Sequence, residues 1–155
     1  VSAFDAHQVL ALTTRLQFPP PRLELIEYTR RLLRFTAMQL AQWARNHGRP
    51  ADLYEILAPL SLEGLLYSMA RQRKHELRRA ISHYLTHLQD VQIAVSGRDI
   101  AAMGLAPGPH YSTILRAVKR AVLNAEVATR EEQLALARRL ANSLAGEARD
   151  AAALS

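Results

Sequence analysis

Apolar residues recur three and four positions apart along most of the chain, a spacing that predicts helices rather than strands. Phe4, Val9, Leu12, Leu16 and Phe18 sit at roughly helical spacing. Pro19-Pro20-Pro21 reads as an extended stop after them, either a stiff connector or a rod for a partner's groove. From Arg22 to Asn46 there is no Gly or Pro; Leu23, Ile26, Leu33, Leu40 and Trp43 alternate with Leu25, Leu32 and Phe35. That pattern predicts a long helix buried on more than one side. Gly48 is expected to end it, with Pro50 opening a short helix through Leu57. Pro59 breaks that helix, and Ser61 caps a successor striped by Leu62, Leu65, Leu66 and Met69. A further helix, from about Lys74 to Gln89, carries Leu77, Ile81, Tyr84, Leu85 and Leu88 on its core side and leaves Arg78 and Arg79 facing away.

The segment from Val95 to Glu132 holds three helix starts and two stops in a span too short for a sheet. Ser96 can cap a helix from about Gly97, and Asp99 completes a capping-box pattern three residues on. Gly104 falls where a left-handed residue would end that helix, and Pro107-Gly108-Pro109 cannot continue it. The next helix is expected to start at Pro109, with Tyr111, Ile114, Leu115, Val118 and Val122 along one side. Thr129 and Glu132 form a second capping box before a last helix carrying Leu136, Leu140 and Leu144. After Gly146 the run EARDAAALS has no cap and little apolar periodicity, so residues 147–155 are expected to be disordered. The predicted architecture is all-α, a multi-helix array of about seven to eight helices. Residues 1–92 form its helical body and residues 93–146 a C-terminal, helix-hairpin-helix-like tail.

With 155 residues the chain can form one domain or two small packed helical units, and it can bury roughly 70% of its unfolded surface without staples. Hydrophobic residues at 49% argue against disorder throughout, and aromatics at 6% suit helices better than strands. The formal charge of +6 and a pI near 10.3 bias partners toward polyanions. There is no cysteine, which removes disulfides, thiolate nucleophiles and cysteine metal sites. No apolar run approaches the roughly 18 residues of a membrane span, and Val1 to Leu10 lacks the plan of a signal peptide. A cytoplasmic location is the expectation, and the Val1 start reads as an internal piece of a longer polypeptide.

Two clusters suggest phosphate binding. Arg71, Arg73, Lys74, Arg78 and Arg79 form the densest positive run in the chain, and spaced cations on an exposed helix face match an RNA backbone. The alternative is a solubilising face. The hairpin before Pro109 aims helix-start amides outward, with Arg98, Arg116, Lys119 and Arg120 nearby in sequence, although Gly108 could equally serve a plain turn. Arg30, Arg31 and Arg34 form a basic patch that is either solvated or RNA-facing. His83 and His87, four apart, with Asp90 a turn on, have the spacing of a zinc site on a helix. They lack a glutamate between them and a fourth ligand, so no metal site is expected.

The string Gly97-Arg98-Asp99-Ile100, then Gly104-Leu105-x-Pro107-Gly108-Pro109, Ile114-Leu115 and Thr129-Arg130-Glu131-Glu132 resembles the C-terminal part of class II tRNA nucleotidyltransferases. That family includes CCA-adding enzymes and bacterial poly(A) polymerases. Leu53 to Leu57, the stretch to Met69-Ala70, and Tyr84-Leu85-Thr86-x-Leu88 are similar to the helical body before that tail, so the resemblance covers most of residues 50–140. Ser112 and Ala125 depart from the family pattern, which has glycine at both places.

Nucleotidyl transfer needs paired carboxylates holding two magnesium ions. This chain has no Asp-x-Asp strand, Gly-Ser loop, Walker-type loop or Gly-x-Ser-x-Gly turn. The chain alone is therefore expected to be catalytically inert and to hold no cofactor, with magnesium and nucleoside triphosphate confined to a catalytic head elsewhere in the same polypeptide. By resemblance, the parent adds nucleotides to the 3′ end of tRNA or another RNA, and this region grips the substrate. The expected contacts are Arg98, Gly108, His110, Ser112, Arg116, Lys119 and Arg120 around the hairpin, with Arg71, Arg73, Lys74, Arg78 and Arg79 as a second line. Two other readings stand beside it. One is a helical scaffold or dimerisation module; the other is a DNA-binding helix-hairpin-helix protein, though Gly104 and Gly108 lie further apart than that motif's glycines.

Overall fold

A computed structural model of the chain describes residues 20–105 and 107–153, together with Gln8, Ala11, Leu12 and Arg15. Every regular element among the described residues is a helix. They are α1 (Pro20–Arg45), α2 (Pro50–Leu57), α3 (Leu62–Arg71), α4 (His75–His83) with a π-helical extension (Tyr84–Leu88), α5 (Gly97–Ala102), α6 (Pro109–Leu123) and α7 (Arg130–Ala153). No helix among the described residues is long and apolar enough to cross a membrane.

The helix boundaries follow local chemistry. Ser61 accepts the Gly64 amide at 3.3 Å and caps α3. Thr129 Oγ1 accepts the Glu132 amide while Glu132 Oε2 accepts the Thr129 amide, the reciprocal pattern expected at the start of α7. At α5 the Ser96–Asp99 capping box is present, with Asp99 Oδ2 accepting from both the amide and the hydroxyl of Ser96. Gly104 ends the following turn at φ +87°, as its position predicts.

The helix expected over Phe4 to Phe18 lies largely outside the described residues. Two boundaries differ from expectation. Pro20 and Pro21 are not part of a rod; they occupy the first turn of α1, where the missing N–H would have no intrahelical partner anyway. α7 continues through Gly146 to Ala153, because the alanine-rich run that follows has high helix propensity and an interior glycine costs only about 1 kcal/mol.

Gly48 follows the end of α1, but its role is steric. His47 takes the left-handed turn at φ 47°, while a Cβ at Gly48 would overlap the Trp43 ring, whose Nε1 donates to the Arg49 carbonyl at 3.0 Å. The same arrangement closes α6, where Ala125 sits at φ 56° and the Glu126 amide reaches back to the Ala121 carbonyl at 2.9 Å. Beyond α4 the Gln89 amide bonds the Tyr84 carbonyl, five residues back, at 2.9 Å. This π turn keeps Tyr84 and Leu88 buried on one side.

Two apolar clusters result. The first joins Leu40 of α1, Leu53 and Leu57 of α2, Leu65 of α3, Leu77 and Ile81 of α4, Tyr84, Leu88, and Leu123 from the end of α6. Full burial of each such side chain is worth about 1.5–3 kcal/mol. The second packs Val95, Ile100, Ile114, Val118, Ala137 and Ala141. Gln133, buried beside it, accepts the Ala94 amide at 2.8 Å and so pins the segment before α5 to α7. α1 is buried on one side only: Leu25, Tyr28, Phe35 and Met38 remain exposed, contrary to the two-sided burial its second apolar set suggested.

Candidate nucleic-acid interface

The cations expected to bind phosphate separate into two groups with different surroundings. On α4, Leu77, Ala80 and Ile81 point into the first cluster, which turns Arg78 and Arg79 outward. Together with Ser82 they line one side of an open groove of about 400 Å³, whose other side is Leu66, Met69 and Ala70 of α3. Arg73 and Lys74, in the connection between the two helices, are exposed. Among the described residues, none of Arg73, Lys74, Arg78 and Arg79 has a carboxylate within ion-pair distance. Arg71, the last residue of α3, donates to the Tyr67 hydroxyl at 3.1 Å and lies 5.7 Å from that ring's centre.

The cations on α6 are placed differently. Arg116 Nε donates to Glu55 at 3.1 Å, and Arg120 reaches Asp52 at 2.6 Å and Glu55 at 2.8 Å. Lys119 Nζ donates to the Tyr54 hydroxyl at 2.7 Å and sits 4.3 Å from the Tyr54 ring centre. Beside them the Asn124 side chain accepts the Ala51 amide at 3.0 Å, satisfying a helix-start donor of α2, and Arg49 pairs with Glu126. α2 and α6 therefore meet along a polar seam. Its bonds set the local proton affinities. The Arg120 hydrogen bond, helped by the Arg49 amide, holds Asp52 below the usual carboxylate range. Burial pushes Glu55 up, but bonds to Arg116 and Arg120 outweigh it and the net shift is down.

Arg116, Lys119 and Arg120 thus lie along this seam, each with a partner on α2. Arg120, 37% exposed, is committed to two carboxylates, whereas Arg116, 72% exposed, keeps most of its guanidinium in water. Gly108 caps α6 in extended backbone that any residue can adopt, so the turn itself does not demand glycine there. The Tyr111 amide is taken by the Gly108 carbonyl, the Tyr111 hydroxyl holds the Leu105 carbonyl, and the Ser112 hydroxyl donates to the Pro109 carbonyl. Arg98 and His110 are exposed.

The seam partners Tyr54, Asp52, Glu55 and Asn124 escaped the sequence reading. At ~100° per residue, Arg116, Lys119 and Arg120 lie opposite the Ile114–Val118 stripe and so looked solvent-facing. Leu123 shares their side and is buried, which marks that side as a second contact face. Acidic residues three apart in α2 opposite basic residues four apart in α6 were the matching signal. His83 and His87 stack with ring centres 4.8 Å apart, and His87 Nδ1 is bonded to the Thr86 hydroxyl. No group of three or more candidate metal ligands occurs among the described residues.

No family model and no solved structure matches the chain. Over 99 residues, 64% of its length, the chain is 42% identical to an A-adding tRNA nucleotidyltransferase of Geobacter sulfurreducens. The aligned stretch is 11% of that protein, so the chain spans about a tenth of the relative it matches. This likeness supports a relation to the tRNA nucleotidyltransferases.

Proposed function

We propose that this chain is the RNA-holding, non-catalytic part of a nucleotidyltransferase that extends RNA 3′ ends, by CCA addition or polyadenylation, and that tRNA is its natural ligand. The observation that carries the reading is the strip Arg73, Lys74, Arg78 and Arg79, which is exposed and, among the described residues, has no carboxylate partner. Paired cations such as Arg120 have already exchanged water for carboxylates, so phosphate would have to displace them; unpaired cations gain a contact and release counterions. The likeness to an A-adding tRNA nucleotidyltransferase supports RNA as the polyanion. Arg71, and on the tail Arg98, Gly108, His110, Ser112 and the exposed Arg116, would extend the contact line. Lys119 and Arg120 would act mainly by holding α6 on α2. Such contacts would fix where the RNA 3′ end lies relative to a catalytic head, which would bind magnesium and nucleotide.

The test is binding of folded tRNA and of an equal-length DNA duplex across a range of salt. The expected result is tighter binding of tRNA, with Arg78→Ala/Arg79→Ala lowering the slope of log K against log salt by about two. The Arg116→Ala/Lys119→Ala/Arg120→Ala variant should chiefly lower the melting temperature. Equal binding of tRNA and DNA, or an unchanged slope in the α4 variant, would sink the proposal. The exposed Leu25, Tyr28, Phe35 and Met38 on α1 favour one second reading, a self-associating helical scaffold. A concentration-independent dimer by light scattering, combined with no RNA binding, would decide for it.

A further inference from the structure

The groove between α3 and α4 combines two properties that a duplex-binding strip does not need together. Its floor, Leu66, Met69 and Ala70, is apolar, while its rim carries two guanidinium groups and the Ser82 hydroxyl, with no carboxylate among the lining residues. The backbone of a double helix offers phosphates and sugars, so it would use the rim and leave the floor in water. Leu66 on that floor is nevertheless left 46% exposed. An apolar patch bordered by spaced cations gives the face of an unpaired base a place to lie while its flanking phosphates meet the cations.

We infer that this groove holds one unpaired nucleotide of an RNA, its base against Leu66, Met69 and Ala70 and its flanking phosphates on Arg78 and Arg79. The inference rests on the RNA reading above and adds a ligand subsite to it. About 400 Å³ lies within the ~300–1,000 Å³ range of small-ligand sites, so a single nucleotide fits. An acidic amphipathic peptide is the competing guest for an apolar groove with a basic rim. A helical peptide needs anchors along at least two turns, and a floor of three side chains does not provide them.

The experiment uses an RNA hairpin with one bulged uridine and the same hairpin with an abasic ribose at the bulge. Charge and backbone are identical in the two probes. With the wild-type chain the base should improve binding roughly tenfold. In Leu66→Ser this advantage should vanish while affinity for the abasic hairpin and the salt slope stay unchanged; Leu66→Met should retain it. Leu66 is exposed, so matched melting temperatures will show that the variants fold. Arg78→Gln/Arg79→Gln should weaken both hairpins. If wild type binds both hairpins equally, or Leu66→Ser keeps the base preference, the subsite is refuted and the RNA reading survives. If neither hairpin binds, or only an acidic amphipathic peptide does, both fail.

Discussion

Ala125 holds a backbone conformation at φ 56° that brings a Cβ too close to the neighbouring carbonyl, a cost of about 1–2 kcal/mol that glycine avoids. Gly48 presents the opposite case: its cost would be steric overlap with the Trp43 ring. Ala125→Gly should therefore stabilise the chain by about 1 kcal/mol after the extra freedom of the unfolded glycine is counted, raising Tm by roughly 2–4 °C. Gly48→Ala should lower stability by about 1–3 kcal/mol. Chemical denaturation followed by the fluorescence of the single tryptophan reads both. Gly104 could be read from the sequence because a lone glycine after a capped turn has few other uses. The positive φ at His47 and Ala125 could not, because side chains that favour other conformations occupy both sites.

Among the elements, helix starts were the most legible feature, since Ser61, Ser96 and Thr129 act through residues three positions away. The α2–α6 seam was not, because its bonds join residues more than 60 positions apart, such as Arg116 and Glu55. The π turn after α4 also left no local signal, as Tyr84, Leu85 and Leu88 fit an ordinary helical stripe equally well. The seam sets how stability varies with acid. Asp52 and Glu55 both have folded-state proton affinities below their ordinary values, 3.8 and 4.5. Unfolding in acid therefore takes up protons at both, and the stability they contribute is full above those ordinary values. It is lost as pH falls through the depressed folded values. The end-cap carboxylates Glu63, Asp99 and Glu132 shift in the same direction, so the seam accounts for only part of the acid sensitivity. Asp52→Asn/Glu55→Gln should be less stable than wild type at pH 7 and should lose less on going from pH 5 to about pH 3. Urea midpoints at a series of pH values read the difference, and parallel curves for the two proteins would show that the seam carries no linked protons.

At the scale of the whole molecule, α6 does two jobs that its periodicity shows only one at a time. Ile114 and Val118 belong to the second apolar cluster, while Leu123 on the other side enters the first, with Arg116, Lys119 and Arg120 bonded along the way. An all-helical fold could be read from the sequence because helical spacing recurs in almost every segment. The pairing of the two clusters depends on which polar faces meet, and no stripe records that. If α6 is the joint, its loss should separate what it couples. Wild type should unfold as one unit, so that Trp43 fluorescence, reporting on the first cluster, and far-UV circular dichroism, reporting on all helices, trace one curve. Leu123→Ala removes the buried contact on the first-cluster side at a cost of about 2–5 kcal/mol, leaving Ile114 and Val118 in place. In that variant the fluorescence transition should move to lower temperature and part from the dichroism curve, as α5, α6 and α7 stay packed around Ile100 and Ala137. Coincident curves at a lowered Tm would instead mean that the two clusters are joined along more of their length than α6 alone.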